Sequence, residues 1–178
     1  MNRVFFDLES QHLFQEVGGR AHIDRLRLSC GVTYSSVRAD FTVYWEKDVR
    51  ALLAELQAAD QVIGFNLIGF DYKVLQPYGP AFNFGSLRTL DMLQEIYRTL
   101  GFRLSLDAIA EATLGAAKLA DGVQAVEWFR AGQLEDLAAY CKQDVAITRQ
   151  IYEFGRDNGY VHYSSKLGSK LKLTVNWR

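Results

Sequence analysis

A chain of 178 residues, 49% of them hydrophobic, is about one domain's worth of sequence with ample apolar material for a continuous core. Twenty basic against twenty-one acidic residues leave a formal charge of -1 and a pI near 6.3, which excludes a global basic field; a nucleic-acid partner would have to be held by a local patch. Two prolines and the lack of a low-complexity tract argue against a linker or disordered arm, and no window holds the ~20 apolar residues of a membrane span.

Met1-Asn2-Arg3 runs directly into a strand, without the apolar core and small-residue cleavage site of a signal peptide, so the expected location is the cytoplasm. That strand, Val4-Phe5-Phe6-Asp7-Leu8-Glu9, carries two acids two residues apart at its end. Side chains alternate along a strand, so Asp7 and Glu9 project to one side and Phe6 and Leu8 to the other. Two like charges about 4 Å apart repel by roughly 4 kcal/mol at an effective dielectric near 20. Such a pair reads either as a strand running out into solvent or as part of a site that shares protons or a cation. Further acids converging on the same place would decide it.

The segment from Gln11 to Ala21 contains Gly18-Gly19 and reads as a loop, and His12 and His22 read there as solvated or structural residues. Leu26, Leu28, Cys30 and Val32 alternate with polar neighbours, as do Phe41, Val43 and Trp45, so both stretches are half-buried strands. With the first strand they predict a three-stranded antiparallel meander. Val49, Leu52, Leu53 and Leu56 mark a helix over 47–59, followed by a short strand, Gln61 to Phe65, which implies a crossover onto the same sheet. The fold class is therefore mixed α/β.

Asn66 opens the next segment, with a short helix predicted over 67–75 that must stop before Pro77. Asp71 falls within its first turns, just past a strand end, where open α/β sheets place their ligands. Asn66 either caps that helix or touches a ligand. A strand is predicted over 87–90, and Asp91 with Gln94 three residues on reads as a capping box for a helix to Leu100. Ser105 caps another helix, 106–114. Lys118 sits in a loop from Gly115 to Gly122, where a lysine is either solvated or placed for a phosphate. Trp128 and Phe129 belong to a helix over 123–130 and read as packing residues.

The longest helix, 134–156, carries one stripe of Leu137, Tyr140, Cys141, Asp144, Val145, Thr148, Ile151 and Tyr152 at helical spacing. Asp144 is the exception on it, because a carboxylate facing a core needs a partner, a hydrogen bond or a metal. Tyr140 lies one turn earlier on the same face. Cys30 and Cys141 are far apart and lack zinc-ligand spacing, so both read as buried free thiols. A terminal hairpin over 160–178 has Leu171, Leu173, Val175 and Trp177 on one face, with Lys170 and Lys172 on the other as edge guards or as a strand-binding surface.

Three segments now stand together: Phe6-Asp7-Leu8-Glu9, Asn66-Leu67-Ile68-Gly69-Phe70-Asp71 and Tyr140-Cys141-Lys142-Gln143-Asp144. In order and character they resemble the three motifs of the DEDD superfamily of 3′-to-5′ exonucleases. The likeness covers roughly residues 3–155, and the tyrosine four before the last aspartate matches the tyrosine variant, whereas Ala139 stands where the histidine variant has its base. Among members, the chain looks most like compact bacterial ribonuclease H-like domains, some fused to or encoded near helicases.

The resemblance implies one domain over 1–178: a ribonuclease H-like mixed five-stranded sheet flanked by helices, core 3–155, then the hairpin. It also implies two divalent cations, Mg²⁺ or Mn²⁺, held by Asp7, Glu9, Asp71 and Asp144, with Tyr140 at the attacking water. Asn66, Phe70 and Lys118 would contact a nucleic acid with a free 3′ end, and a helicase is a candidate partner. Two rival readings are a module of this fold that binds without cutting, and an endonuclease acting on RNA in hybrids.

Overall fold

The computed structural model describes residues 1–116, 122–165 and 168–177. Five strands, β1 (Arg3–Ser10), β2 (Leu28–Ser35), β3 (Asp40–Trp45), β4 (Gln61–Gly64) and β5 (Thr89–Asp91), form one sheet in the order β3-β2-β1-β4-β5. The first three pair antiparallel, as the meander requires. The crossover helix α1 (Val49–Ala58) returns the chain so that β4 lies parallel to β1, and β5 parallel to β4.

β1 is the central strand and is covered on both faces, which is why its sequence is a nearly unbroken apolar run. Val4, Phe6 and Leu8 pack with Leu52 and Leu56 of α1 and with Val74 and Leu75 of the short helix α2 (Asp71–Leu75). Phe5 points the other way, toward Ile96 of α3 (Met92–Leu100), Ile109 of α4 (Leu106–Leu114), Ala125 of α5 (Gly122–Ala131) and Val145 and Tyr152 of α6 (Leu134–Asn158). Each fully buried Val, Leu, Ile or Phe among these contributes roughly 1.5–3 kcal/mol. Asp7 and Glu9 share the face of Phe5, so the alternation that buries the core delivers both carboxylates toward α6.

Two backbone features shape the end of β1. Its register against β2 shifts between Glu9 and Ser10, where the pairing steps from Cys30 to Leu28; a bulge of this kind bends a strand and re-aims its side chains. On the other side, β4 ends at Gly64, where an added Cβ would stand 2.6 Å from Leu67 Cγ and 2.7 Å from the Phe6 carbonyl oxygen. The latter is backbone immediately before Asp7 and cannot yield without moving β1. Gly64→Ala should therefore destabilise the protein by about 1–3 kcal/mol. Thermal melting checks this, and a wild-type midpoint would show that the contact relaxes freely.

A separate hairpin, β6 (Tyr160–Ser164) and β7 (Lys170–Thr174), follows α6. Leu173 and Trp177 are buried as the alternation predicts, and Trp177 lies against Gly155 of α6, where a side chain would collide with its ring. Leu171 departs from the pattern and is exposed, because it pairs with Tyr163 near the hairpin's turn end, beyond the core. Lys172 on the opposite face sits 4.0 Å from the Tyr160 ring centroid.

The predicted helix over 67–75 is shorter in the structure. Residues 66–70 form a turn braced by the Phe70 N–H to Asn66 carbonyl bond, and only Asp71–Leu75 is helical. Among the described residues, no helix is long and apolar enough to cross a membrane.

Candidate active site

At the end of β1, Asp7 and Glu9 meet Asp144 from α6, and one carboxylate oxygen from each lies within 4.8 Å of the others. The long helix crosses β1 and β2 so that its one acidic stripe position falls over the acidic end of the strand. Cys141, one turn before Asp144 on the same stripe, places its sulfur 3.5 Å from the Asp7 carbonyl oxygen and 3.7 Å from Asp7 Oδ2. It joins helix to strand at the site itself.

Asp71 comes from the first turn of α2 and is buried. Its Oδ1 accepts the Leu8 N–H at 3.1 Å, which ties α2 to β1 between the two acids of that strand. It lines the same pocket as Asp7, Glu9 and Asp144, a cleft of about 350 Å³ whose other walls include Phe14, Phe65 and Phe70. Phe14 and Phe70 meet edge-on at 5.9 Å between centroids.

The loop that carries Phe70 is held by Asp91. Asp91 caps α3, its Oδ1 accepting from the Leu93 and Gln94 amides at 3.1 and 3.3 Å, but among the described residues the Gln94 side chain does not return a bond, so the predicted capping box is only half formed. The same side chain also accepts the Asn66 N–H at 2.9 Å and the Ile68 N–H at 3.0 Å. One buried carboxylate thus serves both a helix end and the wall of the site. Asn66 adopts a left-handed backbone, φ 72°, a conformation asparagine tolerates better than most residues. It does not cap α2, which begins with no side-chain cap bond; instead its Oδ1 accepts from Arg103 Nη2 at 2.8 Å.

The electrostatics follow from burial and crowding. Burial first, then the charges of Asp71, Asp144 and Glu9, hold the Asp7 carboxyl well above the usual range. Glu9 is raised by burial, then by Asp144 and Asp71, and Asp71 by burial and by Asp91 against the opposing pull of amide hydrogen bonds. Asp144 is pushed up to about 7 by burial and by Asp107, while its hydrogen bond with the Tyr140 hydroxyl opposes the shift. Tyr140 is itself raised, by burial and then by the charges of Asp144, Glu9 and Asp7, so its phenol stays protonated. Among the described residues, no lysine or arginine is ion-paired with any of the four acids.

That uncompensated charge is the observation a metal would answer. Hard oxygen donors from converging acids suit a divalent cation, and Asp7, Glu9 and Asp144 have the spacing to hold one. Asp71 lies beside this group rather than in it, with one oxygen already engaged by Leu8.

The structure brings Asp7, Glu9, Asp71, Tyr140 and Asp144 together, with Asn66 and Phe70 on the pocket wall. Lys118 lies outside the described residues. His12, read from sequence as solvated or structural, lines the pocket with Phe14; neither residue carries a local signal, since the stretch predicted as a loop has no apolar period, and in the structure Phe14 opens a short 3₁₀ helix, Phe14–Val17. Asp107, just inside α4, is close enough to raise Asp144 and was equally silent in sequence. Trp128 packs as expected, 5.8 Å between ring centroids, but its partner is Tyr140, so this packing positions a site residue.

No curated protein matches the sequence. Among solved structures, the fold resembles part of the family B DNA polymerase from the hyperthermophilic archaeon Pyrobaculum calidifontis, with a TM-score of 0.67 and 17% identity. The match covers 87% of this chain and 24% of the polymerase chain, so the protein spans about a quarter of that enzyme's length, and at this identity the likeness is one of fold. A family model described as RNase_H superfamily matches residues 4–154, from the first buried residue of β1 to the last turns of α6. With the mixed sheet, the flanking helices and the acidic strand end all inside that span, the chain belongs to the RNase_H superfamily.

Proposed function

We propose that the protein is a metal-dependent 3′-to-5′ exonuclease of the tyrosine DEDD type, removing nucleoside 5′-monophosphates from the 3′ end of single-stranded DNA or RNA. The observation that carries this reading is the convergence of Asp7, Glu9 and Asp144 within 4.8 Å, in a pocket shared with Asp71 and walled by aromatic rings. These four acids would hold two divalent cations, Mg²⁺ or Mn²⁺. When bound, such a pair supplies water activation at neutral pH and stabilises charge on the leaving 3′ oxygen.

The chain's own residues do the rest. Phe70 and Phe14, both on the pocket wall, offer apolar surface to a terminal base. Tyr140, held protonated and braced by Trp128, donates its single O–H to Asp144 here; with Asp144 engaged by a cation, that O–H would turn to orient the water or a phosphate oxygen. The role of base does not fall to its phenolate.

The test is a 5′-labelled single strand incubated with Mg²⁺ or Mn²⁺, which should give a ladder shortening from the 3′ end, while a closed circular strand stays intact. Cutting of the circle would make the protein an endonuclease, and no cutting of either, with no divalent binding in calorimetry, would make it a binding module. Tyr140→Phe should lower turnover by about 10–100-fold, the usual effect of an orienting group, and leave the calorimetric metal affinity largely unchanged.

A further inference from the structure

A second pocket lies on the other side of the Asn66 turn. It has a volume of about 370 Å³ and is lined by Asn66, Gly69, Gln94, Tyr97, Arg98 and Arg103. Asn66 lines both this pocket and the acidic one, so a chain leaving one crosses this residue to enter the other. The chemistry of the two is opposite. The first is walled by four acids, whereas among its described lining residues the second has two arginines and no carboxylate.

The two arginines are not equivalent. Arg98 is ion-paired with Glu95 at 2.5 Å on the exposed face of α3. Arg103, in the loop between α3 and α4, has no carboxylate partner among the described residues; its Nη2 donates to the neutral Asn66 Oδ1 at 2.8 Å. Among the described residues this is its one side-chain hydrogen bond, to a neutral acceptor, so its charge has no carboxylate opposite it there. Asn66 is fixed in turn by Asp91, and Gly69 leaves room for the Asn66 amide, with which a side chain there would collide. Tyr97, 49% exposed at the pocket rim, offers a ring face.

We infer that this pocket is a phosphate subsite, in which Arg103 pairs with a backbone phosphate of the substrate strand 5′ of the linkage being cut, with Tyr97 beside it as a stacking face. The inference rests on the nuclease reading for its direction along the strand. Physically it answers a problem that reading creates: a protein of net charge -1 with an acidic site must hold a polyanion by some local positive group. A planar guanidinium suits phosphate, and an aromatic face suits any base.

The test reads binding, so it is independent of cleavage. A fluorescent single strand is titrated with the full chain by anisotropy, in Ca²⁺ and separately in chelator, alongside strands carrying one neutral methylphosphonate at each successive linkage from the 3′ end. Wild-type protein should bind about 5–20-fold more weakly when one particular linkage 5′ of the terminal one is neutralised. Arg103→Gln, which removes the charge, should bind the unmodified strand that much more weakly and lose sensitivity to that linkage. Its slope of log affinity against log salt should also be smaller by about 0.7. Arg103→Lys should restore part of both.

If Arg103→Gln keeps the wild-type linkage profile and salt slope, the arginine only props the Asn66 turn and the subsite does not exist. If the Arg103 dependence appears but no strand is cut in Mg²⁺ or Mn²⁺, the nuclease reading fails and the phosphate subsite stands.

Discussion

Asp7→Asn should lose nuclease activity and gain stability. The substitution keeps shape and removes one charge from a crowded position, a carboxyl already held above its usual range by burial and by Asp71, Asp144 and Glu9. With Mg²⁺ or Mn²⁺, exonuclease turnover should fall by more than about 100-fold, since groups that merely orient metal ligands already cost 10–100-fold. In chelator at pH 8, where the acids repel most, the midpoint of thermal unfolding should rise, corresponding to a gain on the order of 1 kcal/mol or more from relieved repulsion. Opposite signs on the two axes distinguish a functional cluster from a structural one, because a residue kept for folding loses both together. A contaminating nuclease would survive the substitution unchanged, and a fall in stability equal to that of an ordinary core variant would remove Asp7 from the site.

The parts of this site legible in sequence are those where a polar residue breaks a strong local period. Asp144 stands out on an apolar helical stripe, and Asp7 and Glu9 follow a strand that is otherwise all core, so alternation alone assigns their direction. The five-stranded sheet was legible for the same reason, since each strand or helix has its own periodicity and the crossover rule joins them. What lay beyond sequence is what depends on chain path through irregular backbone. His12 and Phe14 enter the pocket from a stretch with no period, and Asn66 turns out to brace an arginine 37 residues later because a left-handed turn replaces the first part of a predicted helix. Asp91 was read as a helix cap and is one; its second pair of amides belongs to a loop whose position only the parallel pairing of β4 and β5 determines.

The stability of the metal-free protein should fall as pH rises from about 4 to 8, and a divalent cation should reverse the loss. The sign follows from linkage: a carboxyl whose folded pKa is raised binds more protons in the native than in the unfolded state, so its contribution is full below the unfolded value and is lost as pH climbs through the folded one. Asp144, moved from 3.8 to about 7, contributes on the order of 4 kcal/mol across that window. For a chain of this size that is roughly 10 °C in melting temperature. Asp7, Glu9 and Asp71 shift in the same direction and deepen the trend. Melting in chelator at pH 5 and pH 8 measures it, with Asp144→Asn as the comparison: the variant's curve should be flatter and should cross above wild type near pH 7. Mn²⁺ or Mg²⁺ at 100 times its dissociation constant should restore about 2.7 kcal/mol to wild type at pH 8 and much less to Asp144→Asn. Stability that rises between pH 5 and 8 in chelator, or a metal effect equal in the two proteins, would mean that the acids are separately solvated and do not form one cation site.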